Sequence, residues 1–289
     1  LVSMEHIKNP ITKVVLVNSG NANACNGKKG LEDANTMAEL TANILGVAKE
    51  EVIIQSTGII GVNLDMEKIN LAIQKGCENL STEGGDDASI AMLTTDKSQK
   101  KIAVSFEIDG KKITLAGIAK GSGMIHPNMG TMLSTLVTDL NISKKMLDLA
   151  FKDSVDMSYN MISIDGDTST NDMAMVIANG LAENKKIETP GENFKKFKEI
   201  LIYVNTELAK LIAKDGEGAT KLIEVEVKNA CSLKDARISA KGVIRSNLTK
   251  CAFFGADANW GRILCAVGYS DAEFDPNKID ISFFGDGEY

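Results

Sequence analysis

The chain has 289 residues, 44% of them hydrophobic and 25% charged, with a formal net charge of -7. That length and balance can bury a core in one large α/β unit or two modest domains, and they exclude a disordered tail, a collagenous repeat or a disulfide miniprotein. The acidic balance offers no basic face for nucleic-acid phosphates, and no apolar run approaches the ~20 residues of a membrane helix.

The first third alternates strands with helices. Residues 13–17 form a buried-strand pattern that runs into a loop of small polar residues, and residues 31–45 carry helical spacing. Residues 51–55 repeat the pattern, ending in Ser56, Thr57 and Gly58 before a helix over 66–80. Both loops are rich in glycine and small polar side chains, which leaves backbone N–H groups free to face a ligand. Residues 103–108 and 112–118 read as strands joined by an Asp109-Gly110 hairpin turn, followed by a glycine-rich loop and a strand over 132–137. Further along, residues 144–151 and 192–213 are helical, the second with Phe194, Phe197, Leu201, Val204 and Leu208 on one side. Residues 221–228 and 279–284 read as strands, the latter ending in an Asp286-Gly287 turn, and residues 232–243 as a helix.

Most familiar chemistries fail on the residues themselves. Asp165 and Asp167 resemble the start of an EF-hand, but Thr170 and Val176 stand where that loop needs Gly and Glu, so the two aspartates read as turn residues capping their own backbone. His6 and His126 are too few for a histidine-rich zinc site, and there is no metal assignment. Gly121 and Gly123 lack the third glycine of a dinucleotide fingerprint, no P-loop is present, and no GxSxG elbow supports a serine triad. The five cysteines, Cys25, Cys77, Cys231, Cys251 and Cys265, show neither CxxC spacing nor a nearby histidine pair. They read as reduced thiols of a cytoplasmic protein, mostly small core residues. What survives is a threonine nucleophile: if the bond before it is cut, its new α-amine, which ordinarily titrates at ~7.7–8.0, serves as its own base. Gly130-Thr131, where a constrained loop meets a strand, fits such a position, as one of many threonines.

Six segments together carry a resemblance: Val17-Asn-Ser-Gly-Asn-Ala-Asn-Ala24, Gln55-Ser-Thr-Gly-Ile-Ile-Gly61, Thr94-Thr-Asp96, Lys120-Gly-Ser-Gly-Met-Ile-His-Pro-Asn-Met129, Ser163-Ile-Asp-Gly-Asp-Thr-Ser-Thr-Asn-Asp172 and Ala258-Asn-Trp-Gly-Arg262. In this order they resemble the ornithine acetyltransferase family, the glutamate N-acetyltransferases of arginine biosynthesis. The resemblance implies an α/β (α+β) sandwich similar to N-terminal-nucleophile hydrolases but of distinct topology. In that family a precursor cuts itself, here between Gly130 and Thr131, into an α-chain region 1–130 and a β-chain region 131–289. Thr131 is then the acyl-carrying nucleophile, Thr57 and Gly58 match the oxyanion donors, and Thr94, Lys120, Thr131 and Glu217 match substrate contacts. Lys120 is also expected to set the electrostatics around the Thr131 amine. Gly130 stands where the family usually has Ala. Family members extend further at both ends, so the chain is expected to be a piece of a longer protein.

The implied reaction moves an acetyl group from N2-acetylornithine to glutamate by a ping-pong route, with acetyl-CoA as a possible further donor and no resident cofactor. The implied assembly is a cytoplasmic heterotetramer of α and β chains. Two other readings stay open: a self-processing aminopeptidase or amidase in which water accepts the acyl group, and a non-catalytic binding protein.

Overall fold

The computed structural model describes residues 1–126 and 132–285. Gly130 and Thr131, and the Asp286-Gly287 turn expected after residue 284, lie outside the described residues.

A short helix α1 (Val2–His6) is followed by strand β1 (Val14–Asn18), helix α2 (Gly27–Leu45), strand β2 (Val52–Ser56) and helix α3 (Met66–Glu78). β1 and β2 pair in parallel, Val14 opposite Val52 through Asn18 opposite Ser56. The crossover between them is α2, as a parallel pair requires. α2 stops at Gly46, whose φ of 66° closes the helix in the left-handed region, and α3 starts at Asp65, whose carboxylate accepts the Lys68 N–H. Met37, Ala38, Ala42, Val52, Ile54, Leu64 and Ile73 form the core of this unit.

After the short helix α4 (Gly85–Ala91) come strands β3 (Lys100–Ile108), β4 (Lys111–Lys120), β5 (Leu133–Thr138), helix α5 (Lys144–Met157), strand β6 (Met173–Ala178) and helix α6 (Glu192–Lys214). The four strands form one sheet in the order β3-β4-β5-β6, antiparallel except for the β5–β6 pair. The hairpin turn is as expected, with φ of 51° at Asp109 and 71° at Gly110, the doubly positive pair of a type I′ turn. α6 buries Phe194, Phe197, Leu201, Val204, Leu208 and Ile212, in one core with Ile113, Leu115 and Leu136 of the sheet and Met146 and Ala150 of α5. Close approach depends on Gly117: a Cβ there would stand 3.0 Å from Leu208 Cδ1 and 3.1 Å from Leu136 Cγ. The two sheets are joined by Gln55 of β2, whose amide donates to the Thr135 hydroxyl of β5 at 3.3 Å. The mixed α/β class expected from the sequence is borne out.

Helices α7 (Leu233–Arg245), α8 (Asn247–Phe254) and α9 (Trp260–Gly268) complete the described chain. Three expectations are corrected here. Residues 221–228 and 279–284 carry no strand, because no described strand runs beside them to supply a hydrogen-bond ladder. The cysteines are not core residues: Cys25, Cys231, Cys251 and Cys265 are exposed and Cys77 is half-buried. On α8 and α9 the inward positions are taken by Thr249, Ala252 and Ala266 instead. No described helix is long and apolar enough to cross a membrane.

Candidate active site at the strand ends

The end of β4 and the starts of β5 and β6 meet in one row, because Lys120 pairs with Leu133 and Leu133 with Met173. The end of β2 is tied to the same row by Asn171, whose side-chain amide donates to the Ser56 carbonyl at 3.2 Å. Thr57 and Gly58 follow β2 directly, so the loop expected to hold oxyanion donors lies against the strand that delivers Lys120.

Lys120 is the hub. Its side chain is 4% exposed, and its ammonium donates to Thr94 Oγ1 at 2.8 Å and Thr57 Oγ1 at 3.3 Å, with Asp96 Oδ2 at 3.6 Å. Burial lowers its pKa, and the neighbouring Asp96 charge opposes that shift only in part. Asp96 holds the hub in place: its Oδ1 accepts from Lys100 Nζ at 2.7 Å and from the Gly121 N–H at 2.6 Å. Burial alone would raise the Asp96 carboxyl, but the Lys100 hydrogen bond, the Gly121 N–H and the charge of Lys120 outweigh it and lower the pKa. Lys100, fully buried, is shared with Asp215 Oδ2 at 2.6 Å.

Gly58 cannot be another residue. Its φ is 130°, and a Cβ would stand 2.2 Å from the Gly20 carbonyl carbon, so the β2 loop packs directly on the loop after β1. The Thr57 N–H is already given to the Asn18 carbonyl at 3.0 Å, whereas the Gly58 N–H makes no hydrogen bond among the described residues. The donors available to an oxyanion at this strand end are therefore the Gly58 N–H and the Thr57 hydroxyl, rather than both backbone amides.

Glu217 lies just past α6 and is brought to the loop after β4. Its N–H donates to the Ser122 carbonyl at 2.8 Å, and its Oε1 accepts from Thr95 Oγ1 at 2.6 Å. Gly123 makes room, since a Cβ there would be 2.6 Å from Glu217 Oε1. Asp165 pins the same loop by accepting the N–H groups of Met124 at 2.5 Å and Ile125 at 3.0 Å, and it also caps Asp167 N–H at 3.0 Å. This is the turn role expected of it. His126 is half-buried, its Nδ1 3.0 Å from Ser163 Oγ, and burial followed by the charges of Lys241, Arg245 and Lys250 lowers its pKa.

Thr57, Gly58, Thr94 and Lys120 are thus brought together, and Glu217 joins them through Thr95 and Ser122. Sequence reasoning missed Lys100, Asp96, Asp215 and Asp172 as parts of this end. Asp96 and Asp172 each lie inside a segment already singled out and Asp215 lies two residues before Glu217, but only the fold reveals which carboxylates share a cation. Nothing in the sequence around Lys100 separates it from a solvated lysine.

The ArgJ family model matches residues 1–288. The chain belongs to the ArgJ family. It is 56% identical over 281 residues to the arginine biosynthesis bifunctional protein ArgJ of Caldanaerobacter subterraneus subsp. tengcongensis, covering 97% of this chain and 70% of that protein. It is 55% identical over 283 residues to the arginine biosynthesis bifunctional protein ArgJ 1 of Clostridium acetobutylicum, covering 98% of this chain and 69% of that one. The crystal structure of the arginine biosynthesis bifunctional protein ArgJ from Bacillus halodurans superposes with a TM-score of 0.47 at 48% identity, over 49% of this chain and 65% of that chain. The chain thus spans about 70% of the length of its ArgJ relatives. The Lys120 hub and the Thr57-Gly58 loop both fall within the matched span.

Proposed function

We propose that this chain carries the acyl-transfer centre of an arginine-biosynthesis enzyme that moves the acetyl group of N2-acetylornithine to glutamate through an acetyl-Thr131 ester. The observation that carries the reading is the buried Lys120 ammonium, held by Thr57, Thr94 and Asp96 at the strand row that leads through Met132 to residue 131. The relatives' name, arginine biosynthesis bifunctional protein, supports the pathway, and acetyl-CoA is a second acetyl donor in this reading, with no resident cofactor.

The precursor cuts itself between Gly130 and Thr131, giving an α-chain region 1–130 and a β-chain region 131–289 that stay associated, two of each, in the cytoplasm. The free Thr131 amine then takes the proton of its own hydroxyl as the oxygen attacks the acetyl carbonyl. Negative charge growing on the carbonyl oxygen is met by the Gly58 N–H and the Thr57 hydroxyl, each such donor contributing ~2.7–4 kcal/mol. Lys120 polarises the Thr57 hydroxyl and keeps a positive charge near the amine, which disfavours amine protonation. Glu217 binds the substrate ammonium. Ornithine leaves, glutamate enters, and its amine takes the acetyl group.

The test is product analysis with the full-length protein. N-acetylglutamate and ornithine formed together from N-acetylornithine and glutamate support the reading. Acetate without N-acetylglutamate places the enzyme with the amidases.

A further inference from the structure

We propose that Thr95 is a positioning residue that fixes the Glu217 carboxylate, and that through it the enzyme prefers an acyl donor with an ammonium at the far end of its side chain. This rests on the reading of Glu217 as the group that binds the substrate ammonium. The α-nitrogen of N2-acetylornithine is acylated and uncharged, so the ammonium that ends its side chain is its only cation.

Glu217 is exposed and lies just past α6, where a glutamate left to itself spreads over several rotamers. Three contacts hold it. Its N–H donates to the Ser122 carbonyl at 2.8 Å, Thr95 Oγ1 donates to its Oε1 at 2.6 Å, and its carboxyl group lies over Gly123, where an added Cβ would stand 2.6 Å from Oε1 and 2.7 Å from Cδ.

The direction of the hydroxyl protons follows from what each group can do. A carboxylate only accepts, so the single Thr95 hydroxyl proton goes to Glu217 Oε1. The 2.7 Å contact between Thr95 Oγ1 and Ser122 Oγ is therefore a donation from Ser122, a residue shielded from solvent. This chain from Ser122 through Thr95 commits Oε1 and orients the carboxylate. Oε2 makes no hydrogen bond and no ion pair among the described residues. The lysines lining the cavity of about 360 Å³ beside Glu217 are turned to carbonyls, Lys221 to those of Phe253 and Phe254 and Lys250 to that of Ile164. Oε2 is left for a cation that arrives with the substrate.

The segment that carries Thr95 does not depend on its hydroxyl. Asp96 anchors it by accepting the Gly121 N–H at 2.6 Å, and Asp215 Oδ2 accepts the N–H groups of Lys97 at 2.9 Å and Ser98 at 3.3 Å. Adjacent hydroxyls divide the work: Thr94 receives the Lys120 ammonium, and Thr95 holds the Glu217 carboxylate. Loss of the Thr95 hydroxyl frees Glu217 to rotate without releasing the segment or Lys120.

The test compares kcat/KM of the full-length enzyme for N2-acetylornithine and for N2-acetylnorvaline, the same donor without the ammonium, with glutamate as acceptor. The wild type prefers N2-acetylornithine. Thr95→Val and Thr95→Ala each lower that preference about 10-fold, the effect of one hydrogen bond to a charged group, and do so through KM for N2-acetylornithine. Thr95→Ser, which keeps the hydroxyl, retains the preference. An unchanged preference in Thr95→Val and Thr95→Ala, whether activity is kept or lost equally with both donors, overturns the proposal for Thr95. No preference in the wild type, or a full preference in Glu217→Gln, overturns the Glu217 reading instead.

Discussion

The Lys120 ammonium donates to the Thr94 hydroxyl at 2.8 Å, joining two residues that lie 26 positions apart in the chain. Lys120 stays in place because Asp96 is neutralised from behind by Lys100, so the two lysines have separate duties. Lys120 faces the hydroxyls of the site, and Lys100 faces only carboxylates and a carbonyl.

Lys120→Met therefore lowers kcat/KM for acetyl transfer by about 100- to 1000-fold, the range for an oxyanion donor put out of action, because the Thr57 hydroxyl loses the ammonium that holds and polarises it. Asp96 keeps Lys100, so the melting temperature moves little. Steady-state kinetics beside calorimetry check this; unchanged turnover contradicts it.

Lys100→Met has the opposite profile. It strands the buried Asp96 and Asp215 carboxylates and lowers stability by about 3–5 kcal/mol, as removal of one partner of a buried pair does. The pH dependence follows. The Asp96 pKa is lowered in the fold, so its contribution is present above the ordinary carboxylate pKa of 3.8 and is lost as pH falls through the lower folded value. Lys100→Met lacks that contribution, so its stability deficit against the wild type is largest near neutral pH and narrows as pH falls below the ordinary carboxylate range, by denaturant unfolding followed with circular dichroism.

Gly58→Ala removes the positive-φ freedom and drives a methyl group into the Gly20 carbonyl. Backbone strain of this kind costs about 1–3 kcal/mol, and relief of the clash displaces the Gly58 N–H. Both the melting temperature and kcat fall, whereas Gly46→Ala, at a helix end with open space, lowers stability alone.

Much of the fold was legible because its strong elements are locally consistent. The Asp109-Gly110 hairpin, the α6 face from Phe194 to Leu208, and the two loops following parallel strands each declare themselves within a dozen residues. Thr57, Gly58, Thr94, Lys120 and Glu217 were legible through resemblance rather than pattern. The Lys100–Asp96–Asp215 system was not, because a charge shared between residues 115 apart is a property of the fold. The alternating residues 221–228 show the converse: period-two hydrophobicity describes a face, and a strand exists only where a neighbour supplies hydrogen bonds.

Asp172→Asn tests the effect of burying a carboxyl. The carboxyl's pKa is about 8 in the fold against 3.8 for an ordinary aspartate, so the native state holds a proton that the unfolded chain releases. Wild-type stability then falls as pH rises from about 4 to about 8 and is level beyond. Asparagine lacks this slope. The melting temperature of Asp172→Asn matches the wild type at low pH and exceeds it by a growing margin up to pH 9, by calorimetry; parallel curves contradict the raised pKa of the buried Asp172 carboxyl.

The most direct test is the mass of the full-length enzyme quenched in acid seconds after mixing with N-acetylornithine alone. The account predicts two chains, with one added acetyl group in the peptide that begins at Thr131, and loss of that acetyl group when glutamate is supplied before the quench. An uncut chain that transfers acetyl groups at full rate, or an acetyl group mapped to any other residue, contradicts it.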